Sequence, residues 1–254
     1  MRNFGKIMLV ILQVLILLTG VMDKSGAAES RYGSEGNNRL MVDFTYETFT
    51  GSRMTIPYRK AEVNADAGDG LALVICLHGH SASGDDNEKQ MRKKAVRNST
   101  EYFWQEKKGA IILAPQCPKD YKWHSREMVT VLRELIASYE GKVDKSRIYV
   151  LGDSMGGDGA WALISTYPDL FAAAMPVAAT VRGELPPMVK TPICAVVGEK
   201  DEIVSAKNVA ADVKSLVAMG AEVNFEILAG ATHRETCGSA FTAERLGWVF
   251  KHKR

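Results

Sequence analysis

The sequence has little net charge, few aromatic residues and no low-complexity segment. Its 32 Lys and Arg residues against 30 Asp and Glu residues leave a formal net charge of +2. That excess is too small to hold a phosphate backbone, so we expect no nucleic-acid partner. Aromatic residues make up only 8% of the chain, but hydrophobic residues reach 46%, which is ordinary for a folded protein and excludes disorder as the main state. With no repeat or linker, one domain is the simplest interpretation.

The longest apolar run is too short for a typical membrane span. Arg2 and Lys6 precede an apolar stretch at 7–18, and small residues follow at 25–28, which is the order found in a secretory signal peptide. A membrane span needs roughly 20 apolar residues, although a retained N-terminal anchor stays the alternative. We therefore expect residues 1–28 to be a signal peptide and the mature protein to be secreted or periplasmic, without stable membrane insertion.

Cysteine is scarce, with four residues, and an exported protein allows them to pair. Cys76 and Cys194 lie in apolar runs typical of buried strands, so we expect both in the core. Cys117 and Cys237 lie in polar, turn-rich segments, where a disulfide between them stays open. Asp85, Asp86 and Asn87 have no His or Cys at ligand spacing, which favours an acidic turn at a helix start over a metal site.

Apolar periodicity predicts an α/β fold. Residues 41–58 alternate between apolar and polar, which predicts an antiparallel hairpin at a sheet edge. Continuous apolar runs, typical of strands covered on both faces, occupy 71–77, 110–114, 147–151 and 193–197, and further strands are predicted at 171–177 and 223–228. Helices are predicted over 88–107, 125–140, 155–167 and 205–219. This order predicts a mostly parallel, doubly wound sheet with ligands at the carboxyl ends of its strands.

A nucleophile motif follows the predicted strand RIYVL. Gly152, Ser154 and Gly156 form GxSxG at a strand-to-helix turn, where small residues allow a sharp turn that lifts the serine hydroxyl above the sheet. The pattern alone is weak evidence because it also arises by chance in glycine-rich chains. Its place between a strand and a helix favours Ser154 as a nucleophile.

A serine nucleophile needs a base to take its proton and an acid to orient that base. With GxSxG in this context, the expected chain order is serine, acid, histidine. Asp201 and His233 each follow the end of a predicted strand, so both are predicted at the same edge of the sheet as Ser154. Glu199 and Glu202 stay open as alternatives for the acid.

An acyl intermediate carries negative charge on the former carbonyl oxygen, so two N–H donors must converge there. The backbone of Met155, at a helix N-terminus, is one expected donor. The other is expected from the loop after Leu77, where Gly79 lets the backbone approach the substrate closely. We assign the second donor to the His80 amide, with Gly79 as the alternative.

These segments together resemble the α/β-hydrolase superfamily: LHGH, SASGDDN, PQCP, RIYVLGDSMGG, GEKDEIV and a late histidine. Within it, residues 40–250 are similar to compact esterases of the phospholipase/carboxylesterase, dienelactone hydrolase and feruloyl-esterase-like groups. The resemblance implies an α/β-hydrolase catalytic domain over 29–254 that needs no cofactor and no metal. It implies these roles: Ser154 nucleophile, Asp201 acid, His233 base, Met155 and His80 oxyanion donors. Dienelactone hydrolases usually carry cysteine in place of the serine, so the serine here favours simple ester hydrolysis.

The connection between the strands at 171–177 and 193–197 governs substrate access. It has only about a dozen residues, too few for a cap domain with its own core, so an open cleft is expected. Trp123 and His124 are candidates for lining that cleft, with a buried Trp123 that anchors the loop as an equal alternative.

We therefore expect an exported serine carboxylesterase that acts on short-chain or aromatic acyl esters, either small molecules or carbohydrate-linked esters. A serine peptidase of the same superfamily and a non-catalytic binding module are the competing interpretations. The chain has no second domain to select peptides, and a binding module does not explain three competent triad residues. The oligomeric state stays open.

Overall fold

A computed structural model describes residues 42–68 and 70–254. The predicted signal peptide lies outside them. In the described part of the chain, eight strands form one sheet. They are β1 (Thr45–Thr50), β2 (Thr55–Val63), β3 (Ala72–Leu77), β4 (Ala110–Pro115), β5 (Ile148–Asp153), β6 (Ala173–Val177), β7 (Ile193–Gly198) and β8 (Val223–Leu228).

The strand order is β1-β2-β4-β3-β5-β6-β7-β8. The pairs β1–β2 and β2–β4 are antiparallel, and all the others are parallel. The predicted fold is confirmed: it is an α/β-hydrolase sheet, mostly parallel, with an antiparallel N-terminal hairpin. The strand order reverses at β3, which lies between β4 and β5, and ligands bind outside the carboxyl ends of strands at such a switch point.

The helices are α1 (Lys94–Gln105), α2 (Arg126–Ala137), α3 (Met155–Thr166), α4 (Leu185–Met188), α5 (Ala206–Ala218), α6 (His233–Ser239) and α7 (Ala243–Phe250). Capping residues explain three of the predicted helix ends, two at N-termini and one at a C-terminus. Ser125 and Ser205 accept hydrogen bonds from the N–H groups three residues ahead, at α2 and α5, and Gly220 follows α5 with φ 95°, the left-handed conformation that glycine adopts readily.

Two apolar layers, one on each face of the sheet, explain why the strands carry no alternation. Successive residues of a strand point to opposite faces. In β3, Leu73, Ile75 and Leu77 belong to one buried cluster, whereas Val74 and Cys76 belong to the other. Both faces of the sheet at β3 are therefore covered by apolar side chains, and every residue of β3 is buried.

One predicted helix differs in the structure. Instead of a continuous helix over 88–107, a 3₁₀-helix at Lys89–Arg92 is followed by Lys93 with an extended ψ of 141° and then by α1. Charged and polar residues fill this stretch, so the apolar period that predicted the helix does not locate the break.

The segment 178–192 between β6 and β7 carries only the short helix α4. The expected absence of a cap domain at this place is confirmed for the described chain. No helix in the part of the chain that the structure describes is both long enough and apolar enough to span a membrane.

All four cysteines are free thiols, so the disulfide that stayed open between Cys117 and Cys237 is not formed. Cys76 and Cys194 are buried in β3 and β7, where the core was predicted.

Candidate active site

Ser154 occupies a strained turn between β5 and α3. Its φ of 53° and ψ of −121° lie in a region that non-glycine residues rarely adopt, at a cost of about 1–3 kcal/mol. A Cβ on Gly152 would lie 2.2 Å from the carbonyl oxygen of Gly156, and a Cβ on Gly156 would lie 2.1 Å from that of Leu77. Because backbone atoms occupy both places, the turn requires glycine at each position, and this explains the spacing of the GxSxG motif.

His233 connects Ser154 to Asp201. Its Nε2 lies 2.9 Å from Ser154 Oγ, and its Nδ1 lies 2.9 Å from Oδ2 and 3.0 Å from Oδ1 of Asp201. The carboxylate accepts the Nδ1–H, which leaves the Nε2 lone pair directed at the serine hydroxyl. The structure thus brings the predicted nucleophile, base and acid into one hydrogen-bonded chain.

Backbone donors hold Asp201 in this position. Its Oδ1 accepts the N–H groups of Ile203 at 2.9 Å and of Val204 at 2.8 Å. The side chain of Asp201 is fully buried, and that of His233 is only 11% exposed. The charge on the carboxylate is therefore met by the imidazole and by the loop backbone rather than by solvent.

The two alternative acids make other contacts. Glu199 Oε2 accepts the N–H of Gly230 at 2.6 Å, and Glu202 Oε2 accepts the backbone N–H of His233 at 3.2 Å. Each of these carboxylates thus orders the segment that leads into α6, whereas the imidazole ring bonds to Asp201.

The predicted oxyanion donors lie at two helix starts. Met155 is the first residue of α3 and His80 is the first residue of a 3₁₀-helix at His80–Ala82, so neither N–H has an acceptor within its own helix. A Cβ built on Gly79 would lie 3.4 Å from the Cβ of Ser154. The loop after β3 therefore passes directly beside the nucleophile.

Trp123 does not line the site, and its assignment as a substrate-binding residue is wrong. The side chain is fully buried, its Nε1 donates to the carbonyl oxygen of His78 at 2.9 Å, and a Cβ on Gly159 would lie 2.4 Å from its Cβ. The indole packs between α3 and the end of β3, so it anchors the loop, as the alternative interpretation held.

Ser154 opens into a cavity of about 290 Å³, here called the Ser154 cavity. Its lining residues are Lys122, His124, Ser154, Met155, Asp158, Ala178, Thr180, Arg182, Ile203 and Val204. His124 was a predicted lining residue and is among them. One wall is polar and charged, whereas Ile203 and Val204 supply an apolar wall in which Ile203 is 69% exposed.

Asp158 organises the charged wall. Its Oδ1 accepts the N–H of Thr180 at 2.9 Å, and its Oδ2 accepts from Arg182 Nε at 3.0 Å. His124 Nδ1 lies 3.8 Å from the same oxygen. Burial, and then the charge of Arg182, hold the pKa of His124 below its ordinary value, so this imidazole is neutral at neutral pH.

The sequence analysis did not identify Asp158, Thr180 or Arg182 as site residues. A signal for Asp158 was present, because it lies four residues after Ser154 and therefore on the same helix face. Thr180 and Arg182 come from the loop after β6 and carry no motif.

A second cavity, of about 430 Å³, lies by the C-terminal end of α2 and the start of β5, at the opposite edge of the sheet. Its lining includes Arg133, Tyr167 and Arg254 but no histidine, so it offers no serine–histidine pair. Among residues 42–68 and 70–254, no group of His, Cys, Asp and Glu is arranged to hold a metal ion. Asp86, in the predicted acidic turn, accepts the N–H groups of Glu88 and Lys89 through Oδ1.

Comparison with known structures agrees with this architecture. A thermostable esterase has a TM-score of 0.74 and 28% sequence identity, covering 84% of this chain and 63% of that one. The chain thus spans less than two thirds of that esterase's length. An S-formylglutathione hydrolase from Staphylococcus aureus has a TM-score of 0.63 at 14% identity, covering 85% of this chain and all of that one.

The feruloyl esterase module from Clostridium thermocellum, solved with sinapinate, has a TM-score of 0.62 at 14% identity, covering 81% of this chain and 87% of that one. At such identity the likeness of these last two structures shows the fold alone. A search of curated protein sequences gave no significant match. The model of the dienelactone hydrolase family matches residues 117–245, half of the chain, including the nucleophile turn, Asp201 and His233. The chain therefore belongs to the dienelactone hydrolase family.

Proposed function

We propose that this protein is a serine carboxylesterase whose triad is Ser154, His233 and Asp201. The observation that carries the proposal is the hydrogen-bonded chain from Ser154 Oγ through His233 to Asp201, with 2.9 Å between Oγ and Nε2 and 2.9 Å between Nδ1 and Oδ2. Such a chain supplies a nucleophile, its base and the acid that fixes the tautomer of that base. It opens directly into the Ser154 cavity.

The reaction runs in two half-reactions. His233 Nε2 takes the hydroxyl proton as Ser154 Oγ attacks the carbonyl carbon, and the N–H groups of Met155 and His80 stabilise the oxyanion. The carbon–oxygen bond to the alcohol then breaks, and the protonated imidazole gives its proton to the departing oxygen. A water molecule loses a proton to His233 and attacks the acyl carbon. Oγ leaves and regains the proton, and the acid is released.

The Ser154 cavity supports a preference for small or flat acyl groups. At about 290 Å³ it is at the lower end of ligand pockets, which run from roughly 300 to 1,000 Å³, and no cap extends it. The apolar wall at Ile203 and Val204 suits a short acyl chain or an aromatic ring. The polar wall around Asp158 and Arg182 suits an alcohol rich in hydroxyl groups, such as a carbohydrate. The likeness in fold to a feruloyl esterase solved with sinapinate supports the aromatic acyl option.

Export is a further part of the proposal. The basic residues before the apolar stretch at 7–18 and the small residues at 25–28 support a cleaved signal peptide, and a secreted or periplasmic esterase would meet esters of polymers that cannot enter the cell.

The nucleophile is tested by Ser154→Ala, with Ser215→Ala on the exposed face of α5 as the matched control. On p-nitrophenyl acetate, kcat should fall by more than about a thousandfold in Ser154→Ala, because losses of a triad nucleophile are larger than that, and should stay unchanged in Ser215→Ala. A Ser154→Ala variant that keeps more than about a thousandth of the turnover would contradict the assignment.

Acyl preference is tested with p-nitrophenyl esters from two to twelve carbons and with methyl ferulate. We expect the highest kcat/KM at about two to four carbons or with the hydroxycinnamoyl group, and no jump in rate at the critical micelle concentration. A rate that rises steadily with chain length and jumps at that concentration would instead indicate a lipase.

A further inference from the structure

Asp153 is a buried carboxylate that the mechanism above does not use. It ends β5, directly before Ser154, and its side chain is only 6% exposed. A Cβ built on Gly79 would lie 2.8 Å from Asp153 Oδ2 and 3.4 Å from the Asp153 carbonyl oxygen, so the carboxylate packs directly against the backbone of Gly79. Burial raises the pKa of Asp153, and the charge of Lys93 opposes that rise. The carboxylate therefore lies between the nucleophile turn and the loop that carries the second oxyanion donor.

Lys93, which directly precedes α1, contacts both the nucleophile turn and the loop after β3. Its Nζ lies 3.7 Å from Asp153 Oδ2 and donates to Ser81 Oγ at 3.1 Å. Ser81 belongs to the 3₁₀-helix that begins at His80. Lys93 is also the extended residue that interrupts the predicted helix before α1, and this break sets where its side chain begins. One lysine thus contacts both the residue before the nucleophile and the residue after the predicted donor.

We propose that Lys93 and Asp153 are positioning residues that fix residues 79–82, the oxyanion loop, against the nucleophile turn, so that the His80 N–H is held where the oxyanion forms. The inference rests on the proposed esterase function. Asp153 packs against the loop at Gly79, and Lys93 is hydrogen-bonded to it at Ser81. Neither side chain contacts the reacting atoms in this role.

The charges of Lys93 and Asp153 have a second effect on formation of the oxyanion. A bare carboxylate next to the nucleophile would oppose the negative charge that develops on the substrate oxygen. The ammonium group of Lys93 offsets that charge, and the charge of His233 also favours the ionised form of Asp153. Loss of Lys93 alone should therefore both loosen the oxyanion loop and leave a buried charge without its partner, which is strongly destabilising.

The test separates positioning from stability with three variants: Lys93→Met, Asp153→Asn and the double variant. Lys190→Met is the control, because Lys190 forms an exposed pair with Asp169 at 3.1 Å. For each protein, kcat and KM on p-nitrophenyl acetate are measured beside the urea midpoint of unfolding. Lys93→Met should lower both kcat and the midpoint. The double variant removes both charges, so its midpoint should return close to the wild-type value.

In the double variant kcat should nevertheless stay about 10- to 100-fold below wild type, the scale of a donor displaced by about 1 Å, with KM changed less than about threefold. If kcat recovers together with the urea midpoint, the pair is merely structural and the inference is overturned.

A thionoester substrate gives a readout specific to the oxyanion. Sulfur is a weak hydrogen-bond acceptor, so a thionoester gains less from the N–H donors than the matching ester does. The ratio of ester kcat/KM to thionoester kcat/KM should fall about 10-fold or more in the double variant, since the ester loses more of that stabilisation. An unchanged ratio would overturn the inference. Failure of the esterase proposal itself would be seen separately, as activity that survives in Ser154→Ala.

Discussion

Replacement of Asp201 by asparagine should remove the base without unfolding the site. In the wild type, Oδ1 accepts the backbone N–H groups of Ile203 and Val204, and both carboxylate oxygens face Nδ1 of His233. In the variant, the amide oxygen must take the place that accepts the two N–H groups, because an NH₂ group there would face two donors. The NH₂ group is then turned toward Nδ1 of the imidazole.

This orientation forces the wrong tautomer. An NH₂ donor at Nδ1 requires a lone pair on that nitrogen, so the ring proton moves to Nε2, the atom 2.9 Å from Ser154 Oγ. A protonated Nε2 cannot accept the serine proton. The same substitution in trypsin-like proteases lowers kcat about 10⁴-fold, which corresponds to about 5.5 kcal/mol of transition-state stabilisation. We expect a loss of that order here.

The assay is kcat/KM on p-nitrophenyl acetate at pH 7.5, with Glu199→Gln and Glu202→Gln as neighbouring carboxylate controls. Glu199→Gln should lie within about threefold of wild type, since the Glu199 carboxylate bonds to the Gly230 backbone rather than to the imidazole. Glu202→Gln should lose somewhat more, since Glu202 accepts the His233 N–H, but an amide oxygen can still accept that bond. An Asp201→Asn variant within tenfold of wild type, or a Glu202→Gln variant that is more damaged, would refute the argument.

Three further predictions concern stability, thiols and processing. Burial of the His78 ring lowers its pKa from 6.5 to about 4, although the bond from Nδ1 to the carbonyl oxygen of Gly79 opposes that shift. The neutral ring accepts the N–H of Cys117 at Nε2. The neutral His78 ring therefore stabilises the folded protein fully above about pH 6.5, and up to about 3 kcal/mol of that stability is lost as the pH falls toward 4. In urea unfolding at pH 7 and 4.5, His78→Asn should show a smaller loss of stability between the two pH values than the wild type does. Denatured protein without reductant should release four thiols to Ellman's reagent, and two would demonstrate a disulfide instead. N-terminal sequencing of exported protein should begin at Ala28 or Glu29, whereas a chain that begins at Met1 would contradict a cleaved signal peptide.

Features that depend on local pattern could be predicted from the sequence. Continuous apolar runs indicate strands covered on both faces, and β8 was predicted with the bounds that the structure shows. The nucleophile turn could be predicted because backbone atoms crowd Gly152 and Gly156. The turn therefore requires glycine at both positions, and the sequence motif identifies the turn.

Features that depend on tertiary contacts could not be predicted from the sequence. The helix break at Lys93 accompanies a contact with Asp153. That residue is 60 positions away in the chain, so the local apolar period carries no information about the contact. Trp123 is buried and bonded to the distant His78 carbonyl, and a loop tryptophan has the same sequence signature whether it faces substrate or core. Helices α6 and α7 were not predicted because they are short and follow the last strand without a long apolar period.

The central claim is that Ser154 becomes acylated, and rapid quenching tests it most directly. A p-nitrophenyl ester is mixed with stoichiometric enzyme, the reaction is stopped in acid within the first turnover, and the digested protein is mapped by mass spectrometry. The account predicts one acyl group, on the peptide that contains Ser154, with a burst of p-nitrophenol of matching size and no acyl group in Ser154→Ala. An acyl group on another residue in the wild type, or turnover with neither burst nor adduct, would contradict it.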